Sequence, residues 1–139
     1  MSSGKTGRPK CLRKVESLPQ INYFKPRGIP LTQLEKVELR VEELEAIKQV
    51  HLEGNKRGKA AMNMGVSRRT LGRELKSGLR KVADALLNGK AIEIKGGYYV
   101  TQEETVFKCL NDKHVWKAPK EGARPQECPE CGSNEIKIT

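Results

Sequence analysis

The stretch MGVSRRTLGREL, residues 64–75, decides how this sequence is expected to fold. Gly65 suits a tight turn, and Ser67 suits a helix N-cap because its side-chain oxygen can accept from backbone N–H groups of the next turn. The spacing of apolar residues after Ser67 predicts a long helix that ends near Leu87. Two shorter helices are predicted upstream, in VEELEAIKQVHLEG (residues 41–54) and NKRGKAAMNMG (residues 55–65).

The predicted long helix has two sides of opposite character. At about 100° per residue, one side collects apolar residues: Leu71, Leu75, Leu79, Val82 and Leu86. The other side collects cations: Arg69, Arg73, Lys76 and Arg80. A solvated surface helix usually mixes signs, since like charges one turn apart repel each other. The segregated cations therefore indicate a polyanionic partner.

A short helix, a glycine-containing turn and a longer basic helix make up a helix-turn-helix, whose second helix enters the DNA major groove. We expect Arg69 and Arg73, near the start of this helix, to contact base edges, with guanine O6 and N7 as acceptors. Lys76 and Arg80, further along, are expected to contact phosphates. The other candidate DNA contacts in this stretch are Ser67, Arg68 and Thr70.

Charge is distributed unevenly along the 139 residues. The net charge is +10, and residues 56–97 alone contain 11 Lys/Arg against 3 acidic residues. Residues 28–55 and 98–139 are mildly acidic, so only part of the molecule is expected to face a polyanion. A membrane-spanning helix is excluded because no run of about 18 apolar residues exists. The N-terminus also lacks the apolar segment of a secretory signal, so we expect a cytoplasmic protein.

The four cysteines indicate a metal site. CPECGS, residues 128–133, holds two cysteines three positions apart and then a glycine, which is typical of a metal-binding knuckle. Cys109 is the expected third ligand. A structural zinc site needs four ligands, and zinc is favoured because iron in an electron carrier would want four thiolates. Disulfides are disfavoured in a cytosolic chain.

The tail FKCLNDKHVWKAP (residues 107–119), taken with CPECGS, resembles a rubredoxin-type zinc ribbon, in which the first knuckle usually reads C-x-x-C-G-H-x-W. In this register Asp112 stands in the place of the second cysteine and His114 in the place of the histidine. For the fourth ligand we favour His114, with Asp112 and Cys11 as alternatives. The expected zinc ligands are Cys109, His114, Cys128 and Cys131.

The segments LPQINYFKPRGIPL, LEAIKQVHLEG and AAMNMGVSRRTLGRELKSGLRKVADALLNGKAI resemble a family of predicted prokaryotic DNA-binding proteins of unknown specific function. The helix-turn-helix of that family is similar to region four of sigma factors. The resemblance implies a DNA-binding role, with these residues at the recognition positions: Ser67, Arg68, Arg69, Thr70 and Arg73. This chain departs from the family in having Arg40 where Thr or Ser commonly caps the first helix, and KRGKAA where an acidic QEEAA is frequent.

Three regions are predicted along the chain. Residues 1–30 are rich in Pro, Gly and basic residues and are expected to form an irregular basic arm. Residues 31–97 are the helix-turn-helix DNA-binding domain, with Gly96–Gly97 at its end, and residues 98–139 are the zinc ribbon. The expected fold class is a mainly α helix-turn-helix domain plus a small β zinc-ribbon domain.

The expected function is transcriptional regulation through double-stranded DNA. The ribbon would add a second DNA contact or dock RNA polymerase or another protein, and a homodimer on two half-sites remains an open alternative. Two other functions stay open: an RNA- or ribosome-associated zinc-ribbon protein, and a metal- or redox-sensing regulator. An enzyme is not expected, because the sequence has no P-loop, no G-x-S-x-G, no H-E-x-x-H and no Cys–His pair outside the metal cluster.

Overall fold

The computed structural model describes residues 12–139, and the chain divides into two compact units. Unit 1 extends to Tyr99, and unit 2 is Val100–Thr139. The division falls just after the glycine pair that the sequence suggested as a boundary. Cys11 and three of the seven basic residues of the predicted arm lie outside the described residues.

Unit 1 combines helices with short strands. Its first elements are β1 (Arg13–Val15), β2 (Tyr23–Phe24), a 3₁₀ turn (Leu31–Gln33) and β3 (Lys36–Leu39). Next come α1 (Val41–Ile47), which continues into a π-helical segment (Lys48–Leu52), then α2 (Arg57–Met64), α3 (Arg68–Asn88) and β4 (Ala91–Ile94). The unit boundary falls within β5 (Tyr99–Thr101). All three predicted helices are therefore present.

The strands β2, β4 and β3 form one sheet, in that order. β4 runs antiparallel to β2 and parallel to β3, with Ile92 opposite both Phe24 and Val37. The prediction of a mainly helical domain is corrected by this sheet, which makes the unit mixed α and β. Part of the predicted irregular arm also belongs to unit 1, since β1 and β2 lie within residues 12–30.

Two hydrophobic clusters hold unit 1 together. The first joins the three helices and consists of Ala46, Ala60, Ala61, Met64, Leu71 and Leu75. The second joins β1, β3, α1 and β4 through Val15, Leu39, Val41 and Ile94. The side of α2 that packs in the first cluster is formed by two alanines and a methionine.

The buried side of α3 differs from the predicted apolar stripe. Leu79 is 40% exposed and Leu86 is 76% exposed, whereas Glu74 and Ala85 are buried. Gly78 is also buried, because α1 crosses α3 so closely that a Cβ at residue 78 would lie 3.0 Å from Cδ1 of Ile47. The helix is therefore turned so that a small residue and a charged one face the unit interior in place of two leucines.

Unit 2 is a small antiparallel sheet with long loops. β6 (Glu104–Cys109) lies between β7 (Val115–Pro119) and β8 (Ile136–Ile138). Phe107 is opposite Trp116 in the β6–β7 pair, and the two rings stack with centroids 5.8 Å apart. The buried cysteines Cys109 and Cys128 lie at one end of this sheet and in the loop before β8.

Neither unit contains a membrane-spanning helix among the described residues, since no helix there is both long enough and apolar enough to cross a bilayer.

Candidate functional site

The outward side of α3 is a cationic face, formed by Arg69, Arg73, Lys76 and Arg80. All four side chains are exposed. Within residues 12–139 none of them forms a salt bridge, although Arg80 lies near enough to Asp84 to help lower the pKa of that carboxyl. The cationic face therefore presents positive charge that no salt bridge within the described chain neutralises.

The turn before α3 fixes where this face begins. Gly65 ends α2 with φ of 69°, in the left-handed region that glycine adopts without strain. Ser67 is the N-cap of α3, and its Oγ accepts a hydrogen bond from Thr70 N at 3.1 Å. The sequence prediction of this cap is confirmed.

Two further predicted contact residues flank the cationic face. The Thr70 hydroxyl is held by Ser67, whose Oγ donates to Thr70 Oγ1 at 3.1 Å. Arg68 turns toward α2, since a Cβ at Gly58 would lie 2.8 Å from its guanidinium. Thr70 therefore contacts Ser67, and Arg68 lies against α2, apart from the cationic face.

A shallow groove of about 430 Å³ runs beside the cationic face. Its apolar floor is made by Leu75 and Leu79, and Gly72 leaves its wall open. Arg57, at the start of α2, lies across the groove from Arg69, Arg73 and Lys76. The sequence analysis did not single out Arg57, because only the packing of α2 against α3 brings it next to these cations.

The inward side of α3 meets a carboxylate cluster, formed by Glu42, Glu43 and Glu74. All three are at most 4% exposed. Glu43 accepts hydrogen bonds from Lys81 Nζ at 2.8 Å and from the Ser77 hydroxyl, both on α3. It also accepts from Arg40 N at 2.8 Å, which caps the first turn of α1.

Arg40 and Arg13 neutralise the remaining charge of the cluster. Arg40 Nη2 lies 2.8 Å from Glu74 Oε1 and 3.1 Å from Glu43 Oε2. Arg13 Nε lies 3.2 Å from Glu74 Oε2. Arg40 stands directly before α1 and joins α1 to α3 as an ion-pair partner. No periodicity in the sequence predicted this network.

The protonation state of Glu43 follows from these contacts. Burial by itself raises the pKa of a carboxyl, but hydrogen bonds from Lys81, Ser77 and Arg40 outweigh burial and lower the pKa of Glu43 below its usual 4.5. Burial by itself lowers the pKa of Arg40, but its hydrogen bond to Glu43 and the charges of the glutamates outweigh burial and raise that pKa. Because its pKa is lowered, Glu43 is ionised at neutral pH.

Unit 2 brings four metal-ligating side chains together. One ligand atom from each of Cys109, Asp112, Cys128 and Cys131 lies within 4.8 Å of every other, so the four could bind a metal ion. Cys109 and Cys128 are buried, while Asp112 and Cys131 are exposed. Three of the four predicted ligands thus lie in this cluster, and the fourth position is taken by Asp112.

His114, the favoured fourth ligand of the sequence analysis, is not brought into the cluster. Its ring stacks on Trp116 with centroids 5.6 Å apart. Its backbone N–H donates to Asp112 Oδ1 at 2.9 Å. The geometry therefore favours Asp112, the alternative that stood in the register of the missing cysteine, and Cys11 cannot be compared because it lies outside the described residues.

The charge states in the cluster follow from its neighbours. The His114 N–H and the thiols of Cys109, Cys131 and Cys128 lower the pKa of Asp112 to about 2. Burial raises the pKa of the Cys109 thiol to about 11. A bound cation would favour the thiolate instead, because its charge offsets the cost of burying the anion.

Comparisons with known proteins place the chain in one family. The sequence model of a family described as "Protein of unknown function DUF134" matches residues 1–102. A UPF0251 protein of Moorella thermoacetica is 49% identical, over 93% of this chain and 85% of the relative. One from Methanocella arvoryzae is 46% identical, over 91% and 78%. One from Methanosarcina acetivorans is 57% identical, over 71% and 88%. No solved structure matches the chain.

Proposed function

The chain belongs to the DUF134 family, and we propose that it is a transcriptional regulator that binds double-stranded DNA by placing α3 in the major groove. The observation that carries this proposal is the cationic face, whose four exposed side chains lack salt bridges within the described chain. Such a surface attracts polyanions. The major groove of DNA admits an α-helix and presents guanine acceptors in the groove and phosphates along its edges.

The arrangement of α2 and α3 supports a division of roles among the cations. Arg69 and Arg73 lie in the first two turns of α3, and this end of a recognition helix contacts base edges. Lys76 and Arg80 lie further along and would contact phosphates, as would Arg57 from across the groove. Ser67, Arg68 and Thr70 would contact DNA, if at all, from the start of the helix.

The carboxylate cluster supports the proposal indirectly. The three basic side chains of this network are all paired with its carboxylates: Arg13, Arg40 and Lys81. The cations of the outward face are not paired in the described chain. This division would orient α3 so that its unpaired charge faces a partner.

We also propose that the cluster in unit 2 holds zinc, and that the ion stabilises this unit. Three thiolates and a carboxylate are ligands that zinc accepts in tetrahedral sites. Unit 2 buries few large apolar side chains, and small domains of this kind gain much of their folding free energy from a bound metal.

The DNA proposal is tested by fluorescence anisotropy with the zinc-loaded protein on mixed-sequence duplex DNA and a matched duplex RNA, over a salt series. We expect the double variant Arg69→Ala/Arg73→Ala to bind DNA at least about tenfold more weakly. The salt slope falls by about one for each phosphate contact that is lost, so base-edge contacts by both arginines predict little change in the slope.

A matched control removes the same charge elsewhere. Arg27→Ala/Lys137→Ala also lowers the net charge by two, at exposed positions that do not belong to the cationic face. This control is expected to keep most of the affinity. An equal loss in both double variants would refute the assigned face, and binding to RNA as tight as to DNA would favour the RNA-associated alternative.

A further inference from the structure

The two halves of the cluster in unit 2 have the same backbone geometry. Cys109 N donates to His114 O at 2.8 Å, and Cys128 N donates to Ser133 O at 2.7 Å, in each case five residues on. Lys113 N donates to Cys109 O at 3.1 Å, and Gly132 N donates to Cys128 O at 2.9 Å, in each case four residues back. Residues 109–114 and 128–133 are therefore two copies of one knuckle.

The contacts to sulfur repeat in the same way. Asn111 N approaches Cys109 Sγ at 3.3 Å, and Glu130 N approaches Cys128 Sγ at 3.4 Å. Backbone N–H groups aimed at sulfur stabilise the thiolate form, which is the form that binds a metal. Both knuckles are thus arranged around an anionic first sulfur.

Lys113 shows that the first knuckle keeps the same backbone turn without a glycine at its left-handed position. Its φ is 67°, in the left-handed region, and in the described chain it is the one residue other than glycine with a positive φ. Gly132, the equivalent residue in the second knuckle, has φ of 75°. A lysine in this conformation costs free energy relative to glycine, so the surrounding contacts hold the turn in place.

This equivalence assigns each residue of the first knuckle a counterpart in the second. Asp112 corresponds to Cys131, and His114 corresponds to Ser133, which does not belong to the metal-ligating group. We propose that Asp112, and not His114, is the fourth ligand of a single zinc ion held by Cys109, Cys128 and Cys131. This inference rests on the proposed binding of zinc and is independent of DNA binding.

The dimensions of the cluster suit a tetrahedral zinc ion. With bonds of about 2.3 Å to sulfur and 2.0 Å to oxygen, such an ion holds two sulfurs about 3.8 Å apart, and a sulfur and an oxygen about 3.5 Å apart. Cys109 Sγ and Cys131 Sγ are 3.7 Å apart. Cys128 Sγ and Asp112 Oδ2 are 3.6 Å apart. These two distances are therefore already those expected within the coordination shell.

His114 positions the proposed oxygen ligand through its backbone. Its N–H binds Asp112 Oδ1, so the carboxylate is held in one orientation, and any residue at position 114 except proline can make this bond. The imidazole ring lies against Trp116. Removing the ring therefore leaves the metal ligands in place.

The test measures metal binding by the full-length chain, using Zn²⁺ in competition with a chelator and Co²⁺ as a spectroscopic probe. We expect one ion per chain and the visible bands of tetrahedral Co²⁺. Asp112→Ala is expected to weaken Zn²⁺ binding by more than about 100-fold, beyond the usual effect of losing an outer-shell partner, while His114→Ala changes it by less than about tenfold.

A third variant keeps the test decisive if Asp112→Ala fails to fold. Asp112→Cys places a fourth thiolate at the second ligand position of the first knuckle. The thiolate-to-cobalt charge-transfer band should then grow, and Zn²⁺ should bind more tightly. The assignment is overturned if Asp112→Cys adds no charge-transfer intensity, or if His114→Ala loses the metal while Asp112→Ala retains it. Failure of the wild-type chain to bind either ion would overturn the zinc proposal as a whole.

Discussion

The inward and outward sides of α3 use basic residues in opposite ways. Lys81 on the inward side lies 2.8 Å from Glu43, and Glu74 beside it is held by Arg13 and Arg40. Arg69 and Arg73 on the outward side are exposed and have no salt bridge in the described chain. The difference teaches that net charge alone is a poor guide to function, because some of the cations are structural and only the unpaired ones remain for a partner.

The largest effect is expected from removing an inward carboxylate. Glu43→Ala leaves Lys81 without its acceptor and removes one of the carboxylates that pair with Arg40, which keeps Glu74. We expect the free energy of unfolding to fall by about 2–4 kcal/mol, somewhat below the usual cost because both cations are partly hydrated. Urea denaturation measures the change. The outward variant Arg73→Ala should differ from wild type by no more than about 0.5 kcal/mol, and equal losses in the two variants would contradict the division between the sides.

Two glycines of α3 offer a second comparison, with effects of opposite sign. A Cβ at Gly78 would lie 3.2 Å from the backbone oxygen of Glu43 on α1, so Gly78→Ala should lower the free energy of unfolding by about 1–2 kcal/mol. A Cβ at Gly72 would meet nothing within 4 Å, and Gly72→Ala should raise stability by about 0.5–1 kcal/mol through helix propensity. Thermal melts of both variants measure the signs, and stabilisation by both would show that α1 and α3 are not packed this closely.

The smallest effect is expected from pH. Because the pKa of Glu43 is lowered in the folded state, its contribution to stability is present above the unfolded value near 4.5 and is lost as the pH falls through the folded value. The stability advantage of wild type over Glu43→Gln should therefore shrink below about pH 4.5. Denaturation curves at several pH values measure it. A difference between wild type and Arg69→Ala that changed with pH in the same way would argue against this origin.

The helices were predictable from the sequence, but the exact face of α3 was not. Apolar spacing located α1, α2 and α3, and the turn residues Gly65 and Ser67 located the joint between the last two. The spacing also placed Leu79 and Leu86 inside, whereas both are exposed. Hydrophobicity cannot reveal that a glycine is buried because a helix crosses it, or that a glutamate is buried because two arginines neutralise it.

The sequence analysis missed the sheet of unit 1 and ranked Asp112, the fourth member of the metal-ligating group, below His114, for a related reason. β3 and β4 pair although more than fifty residues separate them in sequence, and such pairing leaves no local pattern. At the metal cluster, the chemistry of imidazole favoured His114, but the side-chain direction is set by the backbone of the knuckle. The three cysteines needed no such information, since their spacing already marks a knuckle.

The pairing of β3 with β4 has a consequence for how the protein is made. During synthesis, β3 and α1 leave the ribosome about fifty residues before β4, the strand that pairs with β3. They also leave before Gly96, whose carbonyl accepts a hydrogen bond from Val41 N at the start of α1. Tyr98 N, which donates to the buried Glu42 carboxylate at 3.0 Å, emerges later still. The charged start of α1 therefore stays in water until residues 96–98 are available, so we expect it to reach its final contacts late in the folding of unit 1.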